Sequence, residues 1–379
     1  MISLKKVLIL TNNALGLYNF RFELICELIK RGYEVHVAVP ETLEHNKVQL
    51  ITDAGAKYIH TPINRRGTNP FEDLKLIMQY RQLIKTIDPD VVLTFTIKPN
   101  IYGTYVASKF NIPVIMNVTG IGSSLITGNL KSIVKNMYKC ACEKAEIVFF
   151  ENEDNRQFFI QYNLVNNKKT VLLPGAGVNI IKFRPSEKTY RNNIIKFLFI
   201  GRIMKEKGID EYLEVASKIT EKYNNTEFQI LGPFEEKHYK TIILQNKNPK
   251  IKYLGVSNDV RNEIKEVDCI VHPSYHEGMS NVLLEGAAMG KPLIASNIPG
   301  CQEIIEDGYN GFLFEVKSVK SLEEKLVHFI NLHNSTRELM GKNSRDKAVK
   351  QFDRNIVINE YMKAIGTVVK KAIKVESSS

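Results

Sequence analysis

The sequence predicts an α/β protein of two Rossmann-like domains, each a parallel sheet covered by helices, and three observations carry that expectation. Short apolar runs alternate with longer helical periodicities in both halves of the chain. Its 379 residues exceed what a single ordinary core organises. Breakers cluster near the middle, in Leu173-Pro174-Gly175-Ala176-Gly177-Val178-Asn179, followed by Phe183 and Pro185. Strand–helix alternation implies parallel strands joined by helical crossovers, so that both faces of each sheet are covered.

In the first half, Val7 to Leu10, Glu34 to Val39, Lys57 to His60, Val91 to Phe95, Val114 to Val118, Ile147 to Phe150 and Val171 to Leu173 read as strands. Each is a short run rich in β-branched or aromatic residues. Helices such as Tyr18 to Lys30 and Phe71 to Thr86 separate them. Asp88-Pro89-Asp90 superficially resembles a metal-binding carboxylate pair, but its position before a strand marks it as a turn. The second half repeats the pattern with Lys196 to Ile200, Phe228 to Leu231, Ile251 to Leu254, Cys269 to His272, Pro292 to Ser296 and Gly311 to Phe314. The expected domains are 1–180 and 181–354, with a last helix from about Asn355 to Val375.

An apolar content of 44% with 25% charged residues fits a soluble, folded chain. Met1 to Lys6 leads directly into a strand without a charged leader or cleavage site, so secretion is not expected. No run approaches the 18 or so apolar residues that span a bilayer. The five cysteines, Cys26, Cys140, Cys142, Cys269 and Cys301, are odd in number and lie in apolar or helical contexts, which suggests reduced cytoplasmic thiols. Cys140 and Cys142 lack a second pair at zinc-ligand spacing.

Of the net charge of +11, most sits in the first half, with 23 Lys and Arg against 15 Asp and Glu up to Pro185 and 29 against 26 beyond it. Aromatic residues do not interleave with the basic ones, and no nucleic-acid motif is present, so nucleic acid is not expected as a partner. An anionic membrane surface fits better. From Leu125 to Lys144, Leu130, Ile133, Val134 and Met137 fall on one helical face and Lys131, Lys135 and Lys139 on another. The same pattern also suits a surface helix packed on its own domain.

The stretch His272-Pro273-Ser274-Tyr275-His276-Glu277-Gly278-Met279-Ser280-Asn281-Val282-Leu283-Leu284-Glu285-Gly286 reads as a strand end, a tight loop and a helix start. Ser280 or Asn281 can cap that helix. Its first-turn amides and dipole favour an anion such as phosphate. At about 1.5 Å per helical residue, Glu277 and Glu285 lie roughly 10 Å or slightly more apart, comparable to the span from sugar to ribose in a nucleotide sugar. Glu277 could then hold sugar hydroxyls and Glu285 ribose hydroxyls. After the strand ending at Ile200, Gly201-Arg202-Ile203-Met204-Lys205-Glu206-Lys207-Gly208 offers two glycines for close backbone approach and two cations, Arg202 and Lys207, for one anion.

On these two segments the chain resembles the family 4 glycosyltransferases, which carry two glutamates separated by seven residues in this setting. The resemblance covers essentially the whole chain, and is strongest from Phe199 to Gly208 and from His272 to Gly311. It implies the GT-B fold, with sheets facing across a central cleft, and a last helix that returns to the first domain. It also implies retaining transfer from a nucleotide sugar without metal or other cofactor. By that match Glu277, Arg202 and Lys207 are catalytic, and Gly16, Gly201, Gly278, Met279, Ser280, Asn281 and Glu285 join the two cations in binding the donor.

The acceptor side is less defined. Gly16, in the Asn12 to Asn19 loop after the first strand, approaches donor phosphates and acceptor in the resembling enzymes. Asn19 and Arg21 open the next helix, where Arg21 could meet an anionic acceptor or be an ordinary surface residue. Lys98 and Asn100, and Asn117 and Thr119, follow strands where clefts form in open parallel sheets. Many family members carry a His where this chain has Asn117 and Thr119. Gly120 and Gly122 lack the third glycine of a dinucleotide fingerprint. Within the family, Tyr18-Asn19-Phe20-Arg21, Lys98-Pro99-Asn100 and Val118-Thr119-Gly120 resemble bacterial capsule and O-antigen enzymes acting on undecaprenyl-diphosphate-linked saccharides. The expectation is therefore a UDP-sugar donor, a lipid-linked saccharide acceptor and a peripheral place on the inner face of the cell membrane. A UDP-sugar epimerase and a noncatalytic nucleotide-sugar-binding protein are the alternatives.

Overall fold

The computed structural model describes residues 5–64, 67, 69–120, 131–186 and 193–376, with side chains described up to residue 369. The chain divides into two compact units, one of Met1–Ala176 with Asn355–Ser379 and the other of Gly177–Arg354.

The first unit holds seven parallel strands, β1 (Lys6–Leu10), β2 (Glu34–Val39), β3 (Lys57–His60), β4 (Val91–Phe95), β5 (Val114–Val118), β6 (Ile147–Phe150) and β7 (Thr170–Leu172), in the order β3-β2-β1-β4-β5-β6-β7. β1 is apolar on both faces because both are covered. Val7 and Ile9 pack with Leu24 and Leu28 of the helix Ala14–Lys30 and with Tyr361 and Ile365 of the helix Arg354–Glu376. Leu8 and Leu10 face the other way, onto Tyr80 and Ile84 of the helix Pro70–Ile87. The strand order reverses between β1, which pairs Val7 with Val35, and β4, which pairs Val91 with Val7. Such a switch point opens a crevice beyond the strand C-termini.

The second unit repeats the plan with β8 (Ile195–Ile200), β9 (Thr226–Leu231), β10 (Ile251–Tyr253), β11 (Cys269–His272), β12 (Leu293–Ser296) and β13 (Gly311–Phe314), ordered β10-β9-β8-β11-β12-β13 and all parallel. Phe197 and Phe199 pack on Tyr212 and Ile219 of the helix Ile209–Lys222. Leu198 and Ile200 pack on Leu283 and Leu284 of the helix Asn281–Ala288. Here the order reverses between β8 and β11, which sets the segments after those two strands side by side.

Three local features depart from the sequence reading. The first helix starts at Ala14, because Asn13 caps it by accepting from the Gly16 N–H; Gly16 therefore sits in a helical first turn and not in a loop. Pro99–Gly103 forms a π-helical turn that runs into the helix Thr104–Ser108, so Lys98 and Asn100 open a helix. Gly103 in this turn lies close against β1, where a Cβ would fall 2.6 Å from Leu10 Cδ1. The basic helix is Lys131–Lys144, and Leu125 to Leu130 lie outside the described residues, as do Ile121 and Gly122. Its buried seam is Tyr138, Ala141 and Cys142, with Val134 and Met137 partly buried beside it and Ile133 exposed. Asp88 and Asp90 take turn duties: Asp88 ends a helix in the left-handed region and Asp90 accepts the Lys6 N–H.

Candidate active site

In the second unit three loops meet at the switch point. The turn Lys205–Lys207 ends on Gly208, whose φ is +70° and where a Cβ would fall 2.0 Å from the Pro273 carbonyl oxygen. Glycine alone fits that contact. It presses the β8 loop onto the β11 loop, and the Tyr275 N–H donates to the Glu206 carbonyl at 2.9 Å. Gly300, φ +84°, brings the β12 loop against Gly278 in the same way, with a Cβ position 2.6 Å from the Gly278 oxygen. The Ser280 N–H donates to the Gly300 carbonyl at 3.0 Å, and the Ser280 side chain caps the helix Asn281–Ala288 through the Leu283 N–H.

This knitting sets Lys207 Nζ 2.5 Å from Glu277 Oε1, and His272 Nε2 2.8 Å from the same oxygen. Burial pushes the Glu277 carboxyl up, but the hydrogen bond and charge of His272 and the charge of Lys207 outweigh it and hold the group well below the usual carboxylate range. Glu285, one helical stretch further, shows the opposite behaviour. Burial raises it to about 7, against the weaker pull of Arg354 and Lys182. Two carboxylates on one loop–helix segment therefore differ in protonation near neutral pH. One is a permanent anion and the other titrates.

Arg202 is placed differently. It is half-exposed, with its guanidinium 3.4 Å from Glu235 Oε1, outside the Lys207–Glu277–His272 cluster. Met279 is buried in the apolar core with Leu283 and Ile298, so its side chain is packing and its contribution to a ligand is limited to backbone. His272 escaped the sequence reading. It is the last residue of β11 and almost wholly buried, with Nδ1 lacking a hydrogen-bond partner. The available signal was a polar residue closing an apolar strand at its C-terminal end.

In the first unit, Arg21, Asn100 and Asn117 lie in one buried network. Arg21 donates to Glu151 Oε1 at 2.5 Å and stands over the rings of Phe95 and Tyr361. Asn117 donates to the Tyr361 hydroxyl at 2.6 Å, and Asn100 donates to the Asn117 carbonyl at 2.8 Å. The surface reading of Arg21 is therefore corrected: its charge is balanced inside the domain by a residue directly after β6. Asn19 is exposed on the helix Ala14–Lys30 and Thr119 is half-buried after β5. Lys98 belongs to a separate group, donating to Asp73 Oδ1 at 2.6 Å. Two residues before it, Thr96 has φ +74°, an uncommon conformation for a β-branched residue and one that marks strain held in place by its surroundings.

Residues 6–152 match the family described as glycosyl transferase 4-like, and residues 182–347 match glycosyl transferases group 1. A Campylobacter jejuni relative, N,N'-diacetylbacillosaminyl-diphospho-undecaprenol alpha-1,3-N-acetylgalactosaminyltransferase, is 30% identical, the alignment covering 95% of this chain and 98% of that one. An Escherichia coli relative, UDP-Gal:alpha-D-GlcNAc-diphosphoundecaprenol alpha-1,3-galactosyltransferase, is 28% identical over 79% of this chain and 81% of its own. Among solved structures, a glycosyltransferase of Rickettsia africae superimposes with a TM-score of 0.81 at 20% identity, covering 97% of this chain and 99% of that one. With paired parallel sheets of this order and a full-length relative at that identity, the chain belongs to the family 4 glycosyltransferases of GT-B fold.

Proposed function

We propose that this glycosyltransferase moves an N-acetylhexosamine or related sugar from a UDP-sugar to a polyprenyl-diphosphate-linked saccharide, with retention at the anomeric carbon and without a metal. One observation carries the donor half: Lys207 and His272 both reach Glu277 Oε1, at 2.5 and 2.8 Å, beside the capped start of the helix Asn281–Ala288. The names of the Campylobacter jejuni and Escherichia coli relatives support the lipid-linked acceptor, and the latter a UDP donor.

Breaking the bond between the anomeric carbon and a nucleoside diphosphate loads negative charge onto the leaving phosphate. Groups aimed at that charge favour the transition state over the ground state. Lys207, Arg202 and the first-turn amides of Asn281 and Val282 fill this part, with Gly201 and Gly278 allowing backbone to come close. Glu277, kept ionised by its neighbours, orients the sugar and favours positive character on its ring. Glu285 accepts from the ribose hydroxyls. The excess of Lys and Arg in the first half of the chain suits an anionic membrane surface, and among the described residues no helix is long and apolar enough to cross a membrane. We place its work at the cytoplasmic face of the membrane on that charge and on the lipid-linked substrates in the relatives' names.

The test is transfer of radiolabel from UDP-N-acetylhexosamines into a lipid extract. Label in the lipid fraction, lost in Glu277→Gln, is the expected result. Label appearing in soluble acceptors alone refutes the lipid assignment.

A further inference from the structure

Building on that reading of a lipid-linked acceptor, we infer that an apolar groove of the first unit holds the head-proximal part of the acceptor's polyprenyl chain, while an adjoining cavity of mixed charged and apolar lining holds its diphosphate and sugar. The groove, about 440 Å³, is lined by Ile77, Ile101, Tyr102, Tyr105, Ile133 and Met137. The cavity, about 390 Å³, sets Asn64, Glu72, Asp73, Lys75, Gln79 and Lys98 among apolar residues such as Ile63 and Leu76. Both fall within the roughly 300–1,000 Å³ of small-molecule sites.

Tyr102 joins the two. Its ring lines the groove, and its hydroxyl donates to Asp73 Oδ2 at 2.8 Å, while Lys98 holds the other oxygen of the same carboxylate on the cavity side. Burial and the Asp73 hydrogen bond push the Tyr102 hydroxyl far above its ordinary value, so it stays a neutral donor. The Tyr102–Asp73–Lys98 bridge is thus a partition between hydrocarbon and polar head. In the cavity, Gln79 Oε1 is buried without a hydrogen-bond partner, an acceptor suited to a sugar hydroxyl.

Charge and exposure complete the match. Ile133 is 56% exposed and Tyr105 45%, leaving an apolar mouth that water covers at a cost. Lys144 lines the groove and Lys109 Nζ sits 5.4 Å from the Tyr105 ring, so cations border its hydrocarbon mouth, while Lys75 and Lys98 line the cavity assigned to the diphosphate. A concave surface suits a single branched chain. Insertion into a bilayer calls instead for protruding side chains such as Phe71, which lines neither cavity and is widely exposed.

The probes are farnesyl diphosphate and dimethylallyl diphosphate, titrated calorimetrically into the full-length protein with the nucleotide site saturated by UDP. Farnesyl diphosphate is expected to bind at least tenfold more tightly. Ile133→Glu, at an exposed position, should abolish that advantage while leaving dimethylallyl diphosphate affinity within twofold, and Phe71→Ser should preserve it. Equal binding of the two probes by the wild type overturns the groove assignment. So does an advantage that survives in both Ile133→Glu and Tyr105→Glu, even if those variants lose binding to anionic vesicles, for the surface is then a bilayer contact. Wild-type transfer into lipid separates the two claims: label without a chain-length advantage sinks the groove alone, and an advantage without label sinks the acceptor reading on which it rests.

Discussion

Arg21 with Glu151 in the first unit and Lys207 with Glu277 in the second are both cation–carboxylate pairs 2.5 Å apart, each linking the segment after the first strand of a sheet to the segment after a later one. Their surroundings differ. The Arg21 and Glu151 side chains are 4% and 8% exposed, against 21% and 14% for Lys207 and Glu277. Arg21 projects from the middle of a helix and is hemmed in by Phe95 and Tyr361, whereas Lys207 projects from a short turn that ends on a glycine. A pair closed on all sides is an internal fastening. A pair at the open end of a glycine-bounded turn can exchange a partner for a ligand anion without dismantling a core.

The largest effects should follow that division. Arg21→Ala leaves Glu151 buried without its cation, which costs about 3–5 kcal/mol. A denaturation midpoint should show this loss, and adding Glu151→Gln should recover part of it. If Arg21→Ala kept its stability and lost acceptor transfer, the pair would belong to the site and the contrast would break. Glu277→Gln is expected to act chiefly on catalysis, lowering kcat about a hundredfold or more, as removal of a preorganised charge does, with a smaller loss of melting temperature than Arg21→Ala because Lys207 is partly open to water. His272→Gln should cost less, about tenfold in kcat with the KM for donor unchanged, because His272 acts by positioning Glu277.

Much of this was legible in the sequence, and the limits have physical causes. Val91–Phe95, Val114–Val118 and Cys269–His272 announced themselves because strands buried on both faces are continuous apolar runs. The His272 to Gly286 stretch stood out because its glycine, cap and carboxylates all belong to one local strand–loop–helix unit. The surface alternative for Arg21 failed for the opposite reason. Its partner Glu151 is 130 residues away and its neighbour Tyr361 lies on the last helix, so no local pattern reports its burial. The π-helical turn at Pro99 was equally silent, since its Gly103 lies against Leu10, a neighbour in space that is remote in the chain.

The two glutamates of the second unit sharpen the comparison through pH. Glu285, raised to about 7, takes a proton more readily in the folded than in the unfolded chain. Its contribution to stability is therefore full below about pH 4.5 and is lost as pH rises through 7. Ligand binding runs the other way, because a protonated Glu285 accepts less well from ribose hydroxyls. UDP affinity should fall about tenfold between pH 8 and pH 6, measured by titration calorimetry. Glu285→Gln should flatten both profiles. Glu277, held well below the usual carboxylate range, stays ionised across this window and adds nothing to either slope. A UDP profile that is flat in the wild type would place Glu285 away from the nucleotide.

Arg202 should give the smallest effect and the finest distinction. Its side chain is half-exposed and its partner Glu235 lies at 3.4 Å, a loose surface pair of the kind worth about 0–1 kcal/mol to stability. Arg202→Ala should leave the melting temperature of the free protein within experimental scatter. With UDP present, however, the loss of one cation from the diphosphate should weaken binding severalfold, and the deficit should shrink as salt screens the charge that remains in the wild type. Thermal-shift titrations with UDP at low and high salt read both quantities. An equal response of wild type and Arg202→Ala to UDP at low salt would remove Arg202 from the donor site and leave Lys207 and the helix amides to hold the diphosphate alone.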